Sequence, residues 1–472
     1  MIKFGTDGWR AKISDEFTFD NVRIVASGIA NYLKRKEIDS HGIVIGYDNR
    51  FQSEDFAKTS AFVSSGAGIK TFLSDRSCST PALSFSVKSH GAGGGIMITA
   101  SHNPPEYNGI KFKADYAGSA SPKITEGIER EISLVLKSPL PVILESEKLI
   151  SYFDPREKYF EHIKRLIDLD LISKRKIKVI VDPMHGSASG YLGEFLRGIV
   201  EVEEINSRRD PLFSGIAPEP LPVNLEELFS EVKDESLKYP DTLVVGIALD
   251  GDGDRIAAVD GSGRFINTHN VFSLILRHLV EARKLKGGVV RTFNISSMVD
   301  KQVKEYGLPL YETPIGFKYI CDLMLKEDIL IGGEESGGFG IKGNIPERDG
   351  ILSALFLLEA VAAERKSLGV LLGELMQKYG SYFYDREDVL LDEKVKVKIF
   401  QKLKEFPPGA FASQKVVDIK DLDGIKFILE DESWVLFRAS GTEPLLRIYV
   451  EGRSDDNVKQ ILSEGEKLIR SV

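Results

Sequence analysis

The sequence predicts an α/β layered fold, repeated over several domains and closed by a smaller α+β portion. Three observations carry that reading. Short apolar runs recur with amphipathic helices between them, the rhythm of parallel strands covered by helices. Each run ends in a glycine-rich polar loop, where ligands bind in open α/β sheets. At 472 residues the chain exceeds what one hydrophobic core fills, so roughly three or four domains are expected.

Taken in order, Ile43-Val44-Ile45, the run 95–98, Val179-Ile180-Val181, 243–248, 256–259, Val289-Val290 and Ile329-Leu330-Ile331 read as buried strands. Residues 21–33 place Val22, Val25, Ile29 and Leu33 on one helical face. Residues 54–63, 159–167 and 352–363 read as helices as well. Ser138-Pro139-Leu140-Pro141 and the stretch to Ser151 read as a linker, Asp260-Gly261-Ser262-Gly263 as a turn, and Tyr379-Gly380 as the end of the long helical region. Beyond it, 395–399, 427–429, 434–437 and 446–450 look strand-like and precede a closing helix. The resulting domains are 1–148, 149–262, 263–377 and 378–472, the first three of similar length.

Bulk chemistry narrows the function. A formal charge of −9 disfavours nucleic acid and anionic membranes as partners. Cys78 and Cys321 form no CxxC or zinc pattern and suit a reducing compartment. The N-terminus carries no signal-peptide core and no apolar run spans a bilayer, so a cytoplasmic location is expected. The chain lacks GxxxxGK[ST], GxGxxG and HExxH, which argues against nucleotide kinases, NAD enzymes and metalloproteases.

Four loops carry chemistry. In Thr99-Ala100-Ser101-His102-Asn103-Pro104-Pro105, a strand delivers a serine hydroxyl into a proline-stiffened turn. Alone, Ser101 would be an ordinary turn or helix-cap serine; its company raises it to a candidate phosphate carrier. Asp250-Gly251-Asp252-Gly253-Asp254-Arg255 lets three carboxylates converge, a donor set for Mg²⁺. An EF-hand is excluded because Arg255 stands at the required glycine and Gly261 at the bidentate glutamate. Glu334 and Ser336, in Gly332-Gly333-Glu334-Glu335-Ser336-Gly337-Gly338, suit adjacent sugar hydroxyls. Arg438-Ala439-Ser440-Gly441-Thr442-Glu443-Pro444 offers an oxyanion cradle, with Arg447 on the next strand.

These loops, in this order, resemble the α-D-phosphohexomutase superfamily. Phe4-Gly5-Thr6-Asp7-Gly8-Trp9-Arg10, Val44 to Arg50, Tyr107-Asn108-Gly109-Ile110-Lys111 and Thr313-Pro314-Ile315-Gly316-Phe317-Lys318 fit the same family. The resemblance covers residues 4 to about 451 and implies a four-domain, heart-shaped architecture: three similar α/β/α domains with mixed sheets plus a smaller α+β domain. It implies phosphorylation of Ser101 and Mg²⁺ held by Ser101, Asp250, Asp252 and Asp254. Arg10, His102, Lys111 and Arg255 would surround the transferring group. Gly316, Lys318, Glu334 and Ser336 would meet the sugar, while Arg438, Ser440, Gly441, Thr442 and Arg447 would hold the substrate's resident phosphate.

The implied reaction interconverts hexose 1- and 6-phosphates, glucose before mannose, through glucose 1,6-bisphosphate as intermediate and activator. A small sugar phosphate is the expected partner, to a monomer or homodimer. The alternatives are a phosphoglucosamine mutase, a phosphopentomutase or a metal-dependent sugar phosphatase. Certain bacterial members place histidines where this chain has Gly338 and Phe317, so their proposed base is missing, and Lys111, Lys318 or Arg348 stand as replacements. Thr99-Ala100 and Ala439 fit hexose mutases better than phosphoglucosamine mutases.

Overall fold

The computed structural model describes residues 2–5, 8–137, 147–439 and 445–470. Its contacts fall into two compact units, Met1–Gly288 with Gly316–Leu371, and Val289–Ile315 with Leu372–Val472.

In the first unit, a mixed sheet runs in the order Trp9–Lys12, Tyr107–Ala114, Gly94–Ile98, Ile43–Tyr47, Thr71–Ser74 and Ile150–Phe153. The last four strands are mutually parallel, and the first two are antiparallel to their neighbours. The helix Phe19–Arg35 covers the sheet as its periodicity predicts, burying Val22, Val25, Ile29 and Leu33. Thr18 caps its start by accepting from the Asn21 N–H, and Lys34 and Arg35 sit at the negative end of its dipole. The helix Thr80–His90 has no such one-face periodicity, because Thr80, Ala82, Ser84, Ser86 and Val87 are buried on several sides at once. Small polar residues make that helix fit between layers and hide it from a periodicity reading.

The second sheet runs Phe265–Ile266, Ile256–Val259, Leu243–Leu249, Ile177–Asp182 and Glu201–Glu204. Leu243–Leu249 and Ile256–Val259 form an antiparallel hairpin whose connection is the aspartate-rich loop. An antiparallel pair, Ile329–Gly333 and Phe339–Ile341, and the nearly all-buried helix Gly350–Glu364 complete this unit's core. Asp349 caps that helix, accepting from the Leu352 N–H at 2.8 Å and from the Tyr159 hydroxyl at 2.8 Å.

The second unit is built on an antiparallel sheet ordered Phe383–Leu390, Leu445–Gly452, Trp434–Ala439, Ile425–Leu429, Gln414–Lys420 and Ala410–Phe411. Ser297–Tyr306, Glu393–Glu405 and Asp455–Arg470 are among its helices, and residues 289–292 pair in parallel with Leu310–Thr313.

Two expectations are corrected. Residues 395–399, read as a strand from their alternating pattern, lie in the helix Glu393–Glu405. Asp392 caps it through the Lys394 N–H, and Lys396, Ile399 and Leu403 are buried at helical spacing, which overrides β-branched propensity. The linker expected up to Ser151 ends sooner, since Ile150–Phe153 is the sheet's edge strand; 138–146 lie outside the described residues. Among the described residues, no helix is long and apolar enough to cross a membrane.

Burial pushes the Asp349 carboxyl from 3.8 up to about 6 against its hydrogen bonds. Between those values the native state holds a proton that the unfolded chain has released, so stability falls as pH rises through that window. Two pH units correspond to about 3 kcal/mol. The stability of the wild type relative to Asp349→Asn is expected to fall by about that amount between pH 4 and pH 7. Urea unfolding at both pH values checks this, and a pH-independent difference contradicts it.

Candidate active site

The strand Gly94–Ile98 ends at a turn in which Ser101 has φ 55°. That left-handed conformation costs a non-glycine residue about 1–3 kcal/mol and persists only where its surroundings dictate it. Here they do. The Ser101 N–H donates to Thr99 Oγ1 at 2.8 Å, and its hydroxyl donates to Asp250 Oδ2 at 2.9 Å. Arg50, fully buried, donates through Nη2 to the carbonyls of Ser101 and Asn103 at 2.6 Å each. Its Nη1 donates to those of Pro104 and Tyr107 at 2.8 and 3.0 Å. One guanidinium therefore sets the turn, and Pro104-Pro105 only narrow its backbone. Asp48 Oδ2 lies 3.2 Å from Arg50 Nε and balances the charge.

The aspartate loop approaches this turn closely, since a Cβ on Gly251 would lie 2.5 Å from the Ser101 carbonyl oxygen. Asp250, Asp252 and Asp254 are wholly buried, with ligand atoms within 4.8 Å of one another. Lys111, on Tyr107–Ala114, donates to Asp252 Oδ2 at 2.7 Å and to Asp254 Oδ2 at 3.0 Å. Thr80 Oγ1 donates to Asp252 Oδ2 at 2.5 Å. Burial and the neighbouring Asp254 and Asp252 push the Asp250 carboxyl well up. Burial also works against charge on Asp252, but Lys111, Thr80 and Arg348 hold its carboxyl below the usual range. Asp252 Oδ1 and Asp254 Oδ1 are buried without a hydrogen-bond partner. Unpartnered carboxylate oxygens at this density are the donor set of a hard divalent cation, so these residues fit Mg²⁺.

More positive charge surrounds the serine. Arg10 Nη1 donates to Asn103 Oδ1 at 2.8 Å. Arg255 Nε lies 3.9 Å from both Asp250 Oδ2 and Asp254 Oδ1. His102 Nδ1 is 3.5 Å from Ser101 Oγ. Burial, with Arg255, Arg10, Lys111 and Arg50, drives that imidazole well below its usual range, so the ring is neutral.

Glu334 is buried at the end of Ile329–Gly333, and Ser336 is half-buried beyond it. Arg348 joins this loop to the aspartates: Nη2 donates to Asp254 Oδ2 at 2.7 Å and Nη1 to Glu334 Oε2 at 3.2 Å. Its guanidinium also lies 5.6 Å from the Phe317 ring centre. Gly338 leaves room for it, because a Cβ there would fall 2.2 Å from Arg348 Cδ. The space beside Gly338 is thus filled by Arg348. A guanidinium keeps its proton in proteins, so Arg348 serves as a fixed charge and not as a base. Gly316, at φ 137°, opens the helix Phe317–Lys326, and Lys318 Nζ rests 5.2 Å over the Tyr319 ring.

In the second unit, Arg438 and Arg447 lie directly opposite each other on antiparallel strands. Like charges so placed repel unless anions lie between them or beside them. Arg438 Nε donates to Asp423 Oδ2 at 3.1 Å and Arg447 Nε to Asp388 Oδ2 at 3.4 Å. Arg438 itself stands on the strand Trp434–Ala439, not in the loop after it. Ser440, Gly441 and Thr442 lie outside the described residues.

The sequence reading passed over Arg50, Thr80 and the bridging role of Arg348. The first had a usable signal: Asp48-Asn49-Arg50 follows a wholly buried parallel strand, where charged residues have functional reasons to be.

Comparisons with known proteins agree with the fold. Four phosphoglucomutase/phosphomannomutase profiles match in succession: α/β/α domain I over 1–136, domain II over 157–263, domain III over 267–379 and the C-terminal domain over 389–467. A Thermococcus kodakarensis phosphoglucomutase/phosphomannomutase is 32% identical over 99% of this chain and 98% of its own. A Methanococcus vannielii phosphoglucosamine mutase is 31% identical over 100% and 99%. A crystal structure of a phosphomannomutase-type protein from Thermus thermophilus superposes with a TM-score of 0.87 at 35% identity, covering 99% of each chain. The chain belongs to the phosphoglucomutase/phosphomannomutase family of phosphohexomutases, whose members are isomerases acting on sugar phosphates.

Replacing Arg50 by Ala removes one partner of a buried ion pair and strands four carbonyls, at a cost of about 3–5 kcal/mol. Arg50→Lys is expected to recover only part of that, because an ammonium cannot reproduce the planar fork. Urea unfolding of both variants checks this; a lysine variant as stable as wild type contradicts it.

Proposed function

We propose that this protein interconverts hexose 1-phosphate and hexose 6-phosphate through a phosphoserine at position 101, with glucose preferred and mannose accepted. The observation that carries the reading is the Ser101 hydroxyl at 2.9 Å from a wholly buried aspartate of a triad that fits Mg²⁺. In this reading the Ser101 phosphate passes to the free sugar hydroxyl, the 1,6-bisphosphate turns around, and its other phosphate returns to Ser101. Mg²⁺, held by Asp250, Asp252, Asp254 and the Ser101 phosphate, would neutralise charge around the transferring group.

The chain's own residues supply the rest. Arg50 and Thr99 keep the Ser101 oxygen aimed, so little entropy is lost on the way to the transition state. Lys111, Arg10 and Arg255 place fixed positive charge where phosphoryl oxygens gather it, and such positioned charge is the main resource of phosphoryl transfer. His102 is a hydrogen-bond partner at the serine. Glu334 and Ser336 would accept and donate at sugar hydroxyls in the middle of the ring, which stay in reach in both orientations. Gly316 and Lys318 belong to the neighbouring specificity loop. In the second unit, Arg438 and Arg447, with Ser440, Gly441 and Thr442, would take the resident phosphate, resolving the repulsion of the facing arginines.

A second reading, phosphoglucosamine mutase, is favoured by one specific observation: several relatives near 30% identity carry that name. A coupled assay with glucose, mannose, glucosamine and ribose phosphates, with and without bisphosphate, separates the possibilities. The proposal predicts bisphosphate-activated turnover of glucose and mannose phosphates, and a loss of at least about 10⁴-fold on Ser101→Ala. A glucose-to-mannose gap in kcat/KM of about 10⁴-fold or more requires a dedicated C2 contact and contradicts it. Turnover confined to glucosamine phosphate supports the second reading, and net release of inorganic phosphate a phosphatase.

A further inference from the structure

Among the buried charges, one side chain occupies a position that the reaction scheme does not explain. Arg348 is buried and divides its guanidinium between Asp254 Oδ2, at 2.7 Å, and Glu334 Oε2, at 3.2 Å. Asp254 belongs to the acidic triad, Glu334 to the sugar loop. The backbone around both is fixed: the Ile256 N–H donates to the Gly337 carbonyl at 3.0 Å, and the Gly350 N–H to that of Gly253 at 3.2 Å. The Arg348 N–H donates to Glu347 Oε1 at 3.1 Å, and Lys113 anchors Glu347 Oε2 at 2.7 Å with both side chains wholly buried. The root of Arg348 is thus held while its tip meets two anionic claimants among the described residues.

The claim of Asp254 is the stronger by distance, although Lys111 already donates to the same oxygen at 3.0 Å. A divalent cation on Asp254 Oδ1, the oxygen without a hydrogen bond, withdraws negative charge from that carboxylate and repels the guanidinium. The balance then moves toward Glu334. A carboxylate gripped by arginine stays ionised and oriented, and its remaining lone pairs accept from sugar hydroxyls.

Resting on the phosphohexomutase reading above, we infer that Arg348 is a positioning residue that couples occupancy of the acidic triad to sugar affinity through Glu334. Linkage makes the effect reciprocal: the sugar must tighten Mg²⁺ by the factor with which Mg²⁺ tightens the sugar.

The test is calorimetric titration of Mg²⁺ into the full-length protein with and without saturating 1-deoxyglucose 6-phosphate, which has no acceptor hydroxyl at C1. In the wild type the sugar phosphate is expected to tighten Mg²⁺ about fivefold, the lower end of typical coupling. In Arg348→Met the ratio falls to about one, and Arg348→Lys, which keeps the charge, restores part of it. A purely structural role would change both affinities and leave their ratio intact. If Arg348→Met does not fold, Glu334→Gln breaks the same bridge from its other end and must lose the ratio too. A folded Arg348→Met that keeps the full ratio, or a wild type that binds both ligands independently, overturns the inference alone. A wild type that binds Mg²⁺ but no hexose phosphate overturns the functional reading, and this inference falls with it.

Discussion

Three carboxylates brought together out of contact with water are the constraint on which the first unit depends. Left to themselves, Asp250, Asp252 and Asp254 could not all stay charged, and burial already pushes Asp250 upward. The protein answers with cations of its own: Lys111 on two of the aspartates, Arg348 on one and Arg255 at the edge of two. These leave two oxygens, Asp252 Oδ1 and Asp254 Oδ1, without a hydrogen bond, so the carboxylates are not fully satisfied within the protein itself. A buried cluster that leaves carboxylate oxygens without hydrogen bonds in this way is a poor stabilising device and a good receptor for a divalent cation.

The Ser101 turn is organised against the same constraint. Ser101 is held in a left-handed conformation and reaches the triad because Arg50 gathers four carbonyls around one guanidinium. Arg50 comes from the end of Ile43–Tyr47, a parallel neighbour of the strand that carries the serine turn. The sheet thus places a rigid cation beneath the Ser101 turn, and glycine at 251 lets the acidic loop come within contact of it. Strain at the serine is sustained by interactions from three separate segments, the pattern expected where conformation has been fixed for chemistry.

Much of this was legible in the sequence because the site lies on loops after apolar strands. The runs at 43–45, 95–98, 179–181 and 243–248 all fall within observed strands, and Ser101, Asp250, Asp252, Asp254 and Glu334 are brought into one unit. What escaped did so for physical reasons. The alternation at 395–399 imitates a strand, and only the cap at Asp392 and the buried spacing of Lys396, Ile399 and Leu403 reveal a helix. Thr80 lies on a helix buried on several sides, which has no polar face to mark it. Arg50 and Arg348 act on partners 51 and 94 residues away, distances over which one-dimensional spacing carries no information. Gly338 was visible in the chain, but not that the Arg348 side chain occupies the space beside it.

The central claim is that the Ser101 oxygen accepts and returns a phosphoryl group. Intact-mass analysis with peptide mapping, after incubation with Mg²⁺ and glucose 1,6-bisphosphate, tests it most directly. The account predicts one added phosphoryl group, located on Ser101 and removed again by excess hexose monophosphate. A chain that acquires none, or carries it on another residue, contradicts the account.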